Sequence, residues 1–302
     1  MSIYLVIGLI FLVLLLISAA GYLLVLGPLV ILQPTRRSKE WYKRFTTLLE
    51  PKDAHLPQED VLITTHDGLK LKGWFVPHPR ARATVIFLHG VGDCKTTGVA
   101  LARMLFNHSF NVFLYDSRRH GESEGNYCTY GYYEKQDVIT VIDWLQLRTD
   151  VNIGKIGIFG TSMGAAVAIQ AASKDSRIAV IVAEAGFTDL RTIIVDYQKR
   201  LTKLPWHFLR NVAMIRSQKF AKFKAYDVSP LRDIRKVNVP ILFIHGTGDR
   251  YIKADYSEEL YKNANQPKDI LLIEGATHIN QWEVGGTIYE NKVIGFLEEY
   301  IV

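Results

Sequence analysis

Lys155-Ile156-Gly157-Ile158-Phe159-Gly160-Thr161-Ser162-Met163-Gly164-Ala165-Ala166-Val167-Ala168-Ile169-Gln170-Ala171-Ala172 is the stretch on which the fold of this 302-residue chain turns. Its first five residues read as a buried strand and its last eight as a helix, so the pattern G-x-S-x-G falls in the strand-to-helix turn. A serine on so tight a turn is held in a strained backbone conformation, with its hydroxyl pushed out above the sheet. Glycines 160 and 164 let strand and helix approach closely, and the small residues that follow let the helix lie near the sheet. The competing reading is an ordinary glycine-rich turn in a Rossmann-like sheet. What separates the two is whether the chain supplies Ser162 with partners.

Outward from this turn the same alternation repeats. Strands are expected at 83–88, 111–115, 178–183, 241–244 and 269–273, with helices at 96–107, 133–147, 254–263 and 287–300. Such alternation implies a mostly parallel sheet with helices on both faces, and ligands in such sheets bind beyond the carboxyl ends of the strands. Before it, Val61–Thr65 and Leu69–Val76 flank His66-Asp67-Gly68, and an Asp-Gly between alternating runs predicts an antiparallel hairpin.

An activated serine needs a base, an orienting acid and donors for an oxyanion. The strand at 241–244 runs into His245-Gly246-Thr247-Gly248-Asp249, and the strand at 269–273 into Glu274-Gly275-Ala276-Thr277-His278. Asp249 and His278 therefore leave neighbouring strands on the same edge as Ser162, in the chain order serine, acid, histidine. His278 would take the serine proton, and Asp249 would hold the imidazole in the right tautomer. Glu184 and Asp189, after the strand at 178–183, are competing acids. Among the nine histidines, His120 is the chief rival by location, whereas His89 and His245 sit where strands end in His-Gly and read as packed. The segment Leu88-His89-Gly90-Val91-Gly92-Asp93 exposes backbone amides, and the Val91 and Met163 N–H groups are the expected oxyanion donors. No His-x-x-x-His or clustered Cys/His spacing points to a metal, and the two cysteines, Cys94 and Cys128, make no disulfide framework.

Together with Phe87-Leu88-His89-Gly90, Tyr115-Asp116-Ser117-Arg118-Arg119-His120-Gly121-Glu122-Ser123 and the motifs around Ser162, Asp249 and His278, residues 57–302 resemble an α/β-hydrolase. The branch is similar to the serine-aminopeptidase-like, lysophospholipase-like group, whose members are often membrane-anchored. The resemblance implies an eight-stranded sheet with its first pair antiparallel, a helical cap after the sixth strand and cofactor-free hydrolysis. It also implies that Asp116 and the Arg-Arg-His-Gly loop are mainly structural. It does not fix the scissile bond, because that group includes esterases, lipases and thioesterases.

Residues 1–35 carry no charged side chain, and about 20 apolar residues suffice to cross a bilayer as a helix. A cleaved signal peptide is the alternative, with Ser18-Ala19-Ala20 as a processing site; the uncharged tip and the apolar run beyond Ala20 argue against it. We read 1–33 as a membrane anchor spanning about 4–26, with Gly27-Pro28 marking its end or a kink. Residues 34–56 read as a basic juxtamembrane connector with some helix at 40–49. Its Arg36, Arg37, Lys39, Lys43 and Arg44 face only Glu40, which places the hydrolase domain on the cytoplasmic side of a single-pass cell-membrane protein. Residues 187–236 break the rhythm as a helical cap. Between Asp189 and Lys224 nine Lys or Arg oppose two Asp, with Trp206, Phe208, Phe220 and Phe223 interleaved. A solvated hairpin and a lid resting on the membrane both fit that composition.

The expected function is a membrane-anchored serine hydrolase acting on a small-molecule or lipid-like acyl ester, thioester or amide, without cofactor, metal or nucleic-acid partner. Acyl transfer by the same residues and a catalytically silent, membrane-tethered binding protein are the alternatives.

Overall fold

A computed structural model of the chain describes residues 2–152, 154–202 and 207–302. Trp206, one of the aromatic residues of the basic insert, lies outside the described residues. The chain opens with helix α1 (Ile3–Leu32) and the short α2 (Lys39–Tyr42). Then come β1 (Glu59–Thr64), β2 (Lys70–Val76), β3 (Ala83–Leu88), α3 (Val99–Asn107) and β4 (Phe110–Tyr115). α4 (Glu134–Gln146), β5 (Ile156–Thr161), α5 (Met163–Ala172) and β6 (Ile178–Glu184) follow. The insert holds α6 (Leu190–Thr202), α7 (His207–Phe220) and the short α8 (Pro230–Asp233). The chain closes with β7 (Ile241–Gly246), α9 (Ala254–Asn263), β8 (Lys268–Ile273) and α10 (Gln281–Ile301).

The eight strands form one sheet in the order β1-β2-β4-β3-β5-β6-β7-β8. The Asp67-Gly68 hairpin makes β1 and β2 antiparallel, β2 runs antiparallel to β4, and the remaining pairs are parallel. This is the α/β-hydrolase architecture that the sequence predicts. Because successive residues of a strand face opposite sides, each inner strand feeds two cores. Ile86, Leu88, Phe113 and Ile158 pack with α4, α5 and α9, whereas Val85, Phe87, Leu114 and Phe159 pack with α3 and α10. From β3 the chain moves to one side to make β4 and to the other to make β5. The loops leaving β3 and β5 therefore diverge, and the crevice between them holds the site.

Three local expectations yield to tertiary packing. First, α1 does not stop at Gly27-Pro28 but runs through Pro28 to Leu32. Proline removes the N–H that would reach Leu24 O, and Arg216 Nε of α7 donates to that carbonyl instead, at 3.3 Å. Ser217 Oγ donates to Pro28 O, and a Cβ on Gly27 would sit 3.3 Å from Ala213 Cβ, so α1 and α7 are in close contact. The last turn of α1 enters the core. Leu32 is fully buried, Tyr130 Oη donates to Ile31 O at 2.7 Å, and the Cys128 N–H donates to Leu32 O at 2.8 Å. These bonds satisfy carbonyls that every helix C-terminus leaves open.

Second, helix in the connector is confined to α2. Asp53 accepts from the N–H groups of Leu49 and Glu50 in a cap that starts a 3₁₀ turn at Pro51–Ala54, and the residue before a proline is disfavoured in a helix. Third, α10 begins at Gln281, ahead of the expected 287. Its first turn is offset from the rest by Gly286, whose backbone (φ 47°, ψ −129°) is not helical.

Candidate active site

Ser162 sits between β5 and α5 with φ 55° and ψ −113°, a conformation that costs a non-glycine residue on the order of 1–3 kcal/mol. Two close approaches hold it there. A Cβ on Gly160 would lie 2.3 Å from Gly164 O, and one on Gly164 would lie 2.0 Å from Leu88 O. The Ser162 N–H donates to Glu184 O at 2.7 Å, which pins the turn to the end of β6.

His278 and Asp249 arrive from the ends of β8 and β7. Ser162 Oγ lies 3.1 Å from His278 Nε2, and His278 Nδ1 lies 2.6 Å from Asp249 Oδ2. The second carboxylate oxygen receives the N–H groups of Tyr251 (2.7 Å) and Ile252 (3.0 Å), so Asp249 gives one oxygen to the loop and the other to His278, with His245 Nε2 3.3 Å from that same oxygen. Burial opposes its ionisation. Hydrogen bonds from His245 and His278, with the Ile252 N–H, outweigh that penalty and hold the carboxyl well below the usual carboxylate range. The arrangement can draw a proton from Ser162 while Asp249 stabilises the imidazolium that results.

The rival residues are occupied elsewhere. Asp189 Oδ2 accepts from Ser229 Oγ at 2.6 Å. Glu184 accepts from Tyr289 Oη at 2.5 Å, and burial lifts its carboxyl above the usual range despite that bond and the nearby histidines. His120 Nδ1 pairs with Arg118 O. Burial, with His89 beside it, keeps its ring neutral down to about 3. The Ser117 N–H donates to His89 Nε2, and His245 lies between Ser257 Oγ and Ile252 O. Asp116 accepts from the Lys95 and Glu122 N–H groups and pairs with the buried Lys95 ammonium, a structural network behind the site.

Val91 lines the same cavity as Ser162, and Met163 opens α5 directly after it. Among the described residues, neither N–H meets a protein acceptor. Both stand near the positive end of the α5 dipole, where negative charge is favoured.

The cavity holds about 770 Å³, and its walls include Trp41, Phe45, Tyr197, Tyr251, Ile279 and Trp282. Two of these aromatics come from the segment read as a connector, which proves to be a wall of the site. Arg37 Nη1 and Tyr42 Oη both bond to Asp93 Oδ1, at 2.8 and 2.7 Å, and Arg37 lies over the Trp41 ring. The connector thus grips the loop that carries Val91. Sequence reasoning missed this grip, because Arg37 and Asp93 are 56 positions apart and the aromatic-basic alternation reads as a membrane flank. It also missed Arg200 of α6, which lines the cavity and has no local motif.

The family profile described as serine aminopeptidase, S33, matches residues 79–230. The uncharacterised YqkD of Bacillus subtilis (strain 168) is 30% identical, with 76% of each chain covered. The α/β-hydrolase domain-containing protein WAV2 of Arabidopsis thaliana is 24% identical over 83% of this chain and 82% of its own. Among solved structures, the Pyrococcus furiosus esterase Pf2001 superposes with a TM-score of 0.74 and 26% identity, covering 90% of this chain and 99% of the esterase.

Proposed function

The chain belongs to the serine aminopeptidase S33 family of α/β-hydrolases, and from that premise we propose a membrane-anchored serine hydrolase working through a Ser162 acyl-enzyme. The observation that carries the reading is the continuous hydrogen-bond line from Ser162 through His278 to Asp249 on the floor of an aromatic cavity. Ser162 Oγ attacks the acyl carbonyl carbon while His278 Nε2 takes its proton. The Val91 and Met163 N–H groups receive the oxyanion. His278 returns the proton to the departing alcohol, thiol or amine as its bond to the acyl carbon breaks, and water then releases the acid by the same steps reversed. The Pyrococcus furiosus relative is named an esterase, which supports an ester ahead of an amide.

Asp249→Asn tests the relay. Asparagine keeps an oxygen for the Tyr251 and Ile252 N–H groups but turns an NH2 toward His278 Nδ1. That forces the proton onto Nε2, where it blocks attack by Ser162. Turnover of a 4-nitrophenyl ester should fall about 10³–10⁴-fold with the fold intact. A loss smaller than tenfold would remove Asp249 from the role.

The membrane part of the reading rests on the exposed apolar length of α1 and on the basic residues after it. It extends to the substrate, because Ile279 at the cavity wall is 91% exposed and Phe45 is also largely exposed, an apolar rim suited to a lipid-like acyl chain. A C-terminally tagged chain should fractionate with the cell membrane, and its tag should resist protease in intact cells. Removing residues 2–22 should free the protein from membranes with its activity retained. Removing residues 2–33 should in addition lower stability by about 3 kcal/mol or more, since Leu32 and the hydrogen bonds from Arg216, Ser217, Tyr130 and Cys128 go with it. Digestion of the tag in intact cells would reverse the orientation.

A further inference from the structure

Charges around the cavity are matched, with one exception. Arg37 is paired with Asp93, Asp249 with His278, and the Glu184 carboxyl takes the Tyr289 hydroxyl. Among the described residues, Arg200 has no such partner. Its natural neighbour one helical turn earlier, Asp196, instead accepts from Tyr256 Oη at 2.5 Å. Among the described residues no carboxylate lies within ion-pair distance of Arg200. Its guanidinium lies over the rings of Tyr197 (4.9 Å) and Tyr251 (4.4 Å). Nη1 alone is engaged, donating to Arg250 O (3.2 Å) and Tyr251 O (3.0 Å). Nε and Nη2 meet no acceptor among the described residues. Tyr251 in turn lies 5.8 Å from the His278 ring, so the cation stands one aromatic ring away from the candidate base.

A guanidinium held between aromatic rings in a cavity is partly stripped of water and keeps two unused donors of fixed geometry, the form in which arginine takes carboxylates and phosphates. We propose that Arg200 is an anion subsite of the Ser162 cavity, so that the preferred substrate is an acyl ester bearing a phosphate or carboxylate group. This rests on the hydrolase reading above and adds the substrate's charge to it. The charge would dock beside Tyr251 and present the ester to Ser162, while the apolar rim receives the acyl chain. The competing role is a latch. Through Arg250 O and Tyr251 O, Arg200 also ties α6 to the loop after β7, and a latch alone would affect every substrate equally.

The test therefore reads a ratio. Full-length protein in detergent micelles is given a monoacylglycerol, the same ester carrying a glycerol phosphate, and the same ester carrying a hemisuccinate. Wild type should favour one of the anionic esters about tenfold or more in kcat/KM, less so as salt is raised. Arg200→Ala should bring that ratio close to one whatever activity the two esters lose in common. Arg200→Lys should leave it intermediate, because the charge survives and the fork does not. A ratio near one in wild type, or one untouched by Arg200→Ala, overturns the subsite and leaves the hydrolase standing. If no ester is turned over and a fluorophosphonate fails to label Ser162, the hydrolase reading itself fails. Should Arg200→Ala not fold, inhibition of wild type decides. Dodecyl phosphate should inhibit at least tenfold better than dodecanol, and equal inhibition overturns the subsite.

Discussion

Ser162→Ala should lose covalent labelling by a fluorophosphonate completely and should cut ester turnover by about 10⁴–10⁶-fold. The size of the effect follows from the geometry. His278 Nε2 has one hydroxyl to deprotonate, at 3.1 Å, and the Val91 and Met163 amides, as the proposed oxyanion donors, would serve a charge that forms only when Oγ attacks. What survives is the modest help that binding and the amides give to attack by water. Stability should barely move, because alanine carries the same φ of 55° as serine. Ser162→Gly separates chemistry from fold further. It should be equally inactive yet melt slightly higher, since glycine occupies that backbone region at little cost. Labelling that persists in Ser162→Ala would place the nucleophile elsewhere and dismantle the proposed mechanism.

Gly164→Ala should be among the most damaging single methyls in the domain. The added carbon would lie 2.0 Å from Leu88 O and 2.6 Å from Leu88 C, backbone atoms of a strand that is buried along its whole length. No side chain can turn aside to make room. Either α5 lifts off the sheet or β3 shifts, and both elements pack into the central core. A loss of about 4 kcal/mol or more is expected, lowering the melting temperature by roughly 10 °C. Activity should fall further than stability, because β3 leads to Val91 and α5 begins at Met163. The control is Gly295→Ala in α10, where an added methyl meets nothing within 4 Å and should stabilise by a fraction of a kcal/mol. If the two variants melt alike, the close packing of α5 on β3 is not what holds the turn.

The features that set the architecture are local, which is why they could be read directly. Short continuous apolar runs and helical patterns alternate along residues 83–301, and Asp67-Gly68 announces its own hairpin. Ser162, Asp249 and His278 were legible as a group because each leaves the carboxyl end of a parallel strand, where topology alone brings side chains to one edge. What escaped depends on contacts distant in sequence. Proline normally closes a helix, yet Pro28 lies inside α1 because Arg216, 192 positions away from Leu24, serves the freed carbonyl. Arg37 looks like any basic residue beside an apolar run until Asp93 is placed opposite it. Arg200 carries no motif, and its position over the cavity follows from how α6 lies against the loop after β7.

The attachment of α7 to α1 bears on how a substrate reaches Ser162. The two helices of the insert are fastened to different parts of the molecule, α7 to the apolar helix through Arg216 and Ser217, α6 to the rim of the cavity through Arg200. A rigid swing of the whole insert would have to drag α1 with it. Any opening of the insert would therefore move α6 against an α7 held on α1, a shear of a few ångströms.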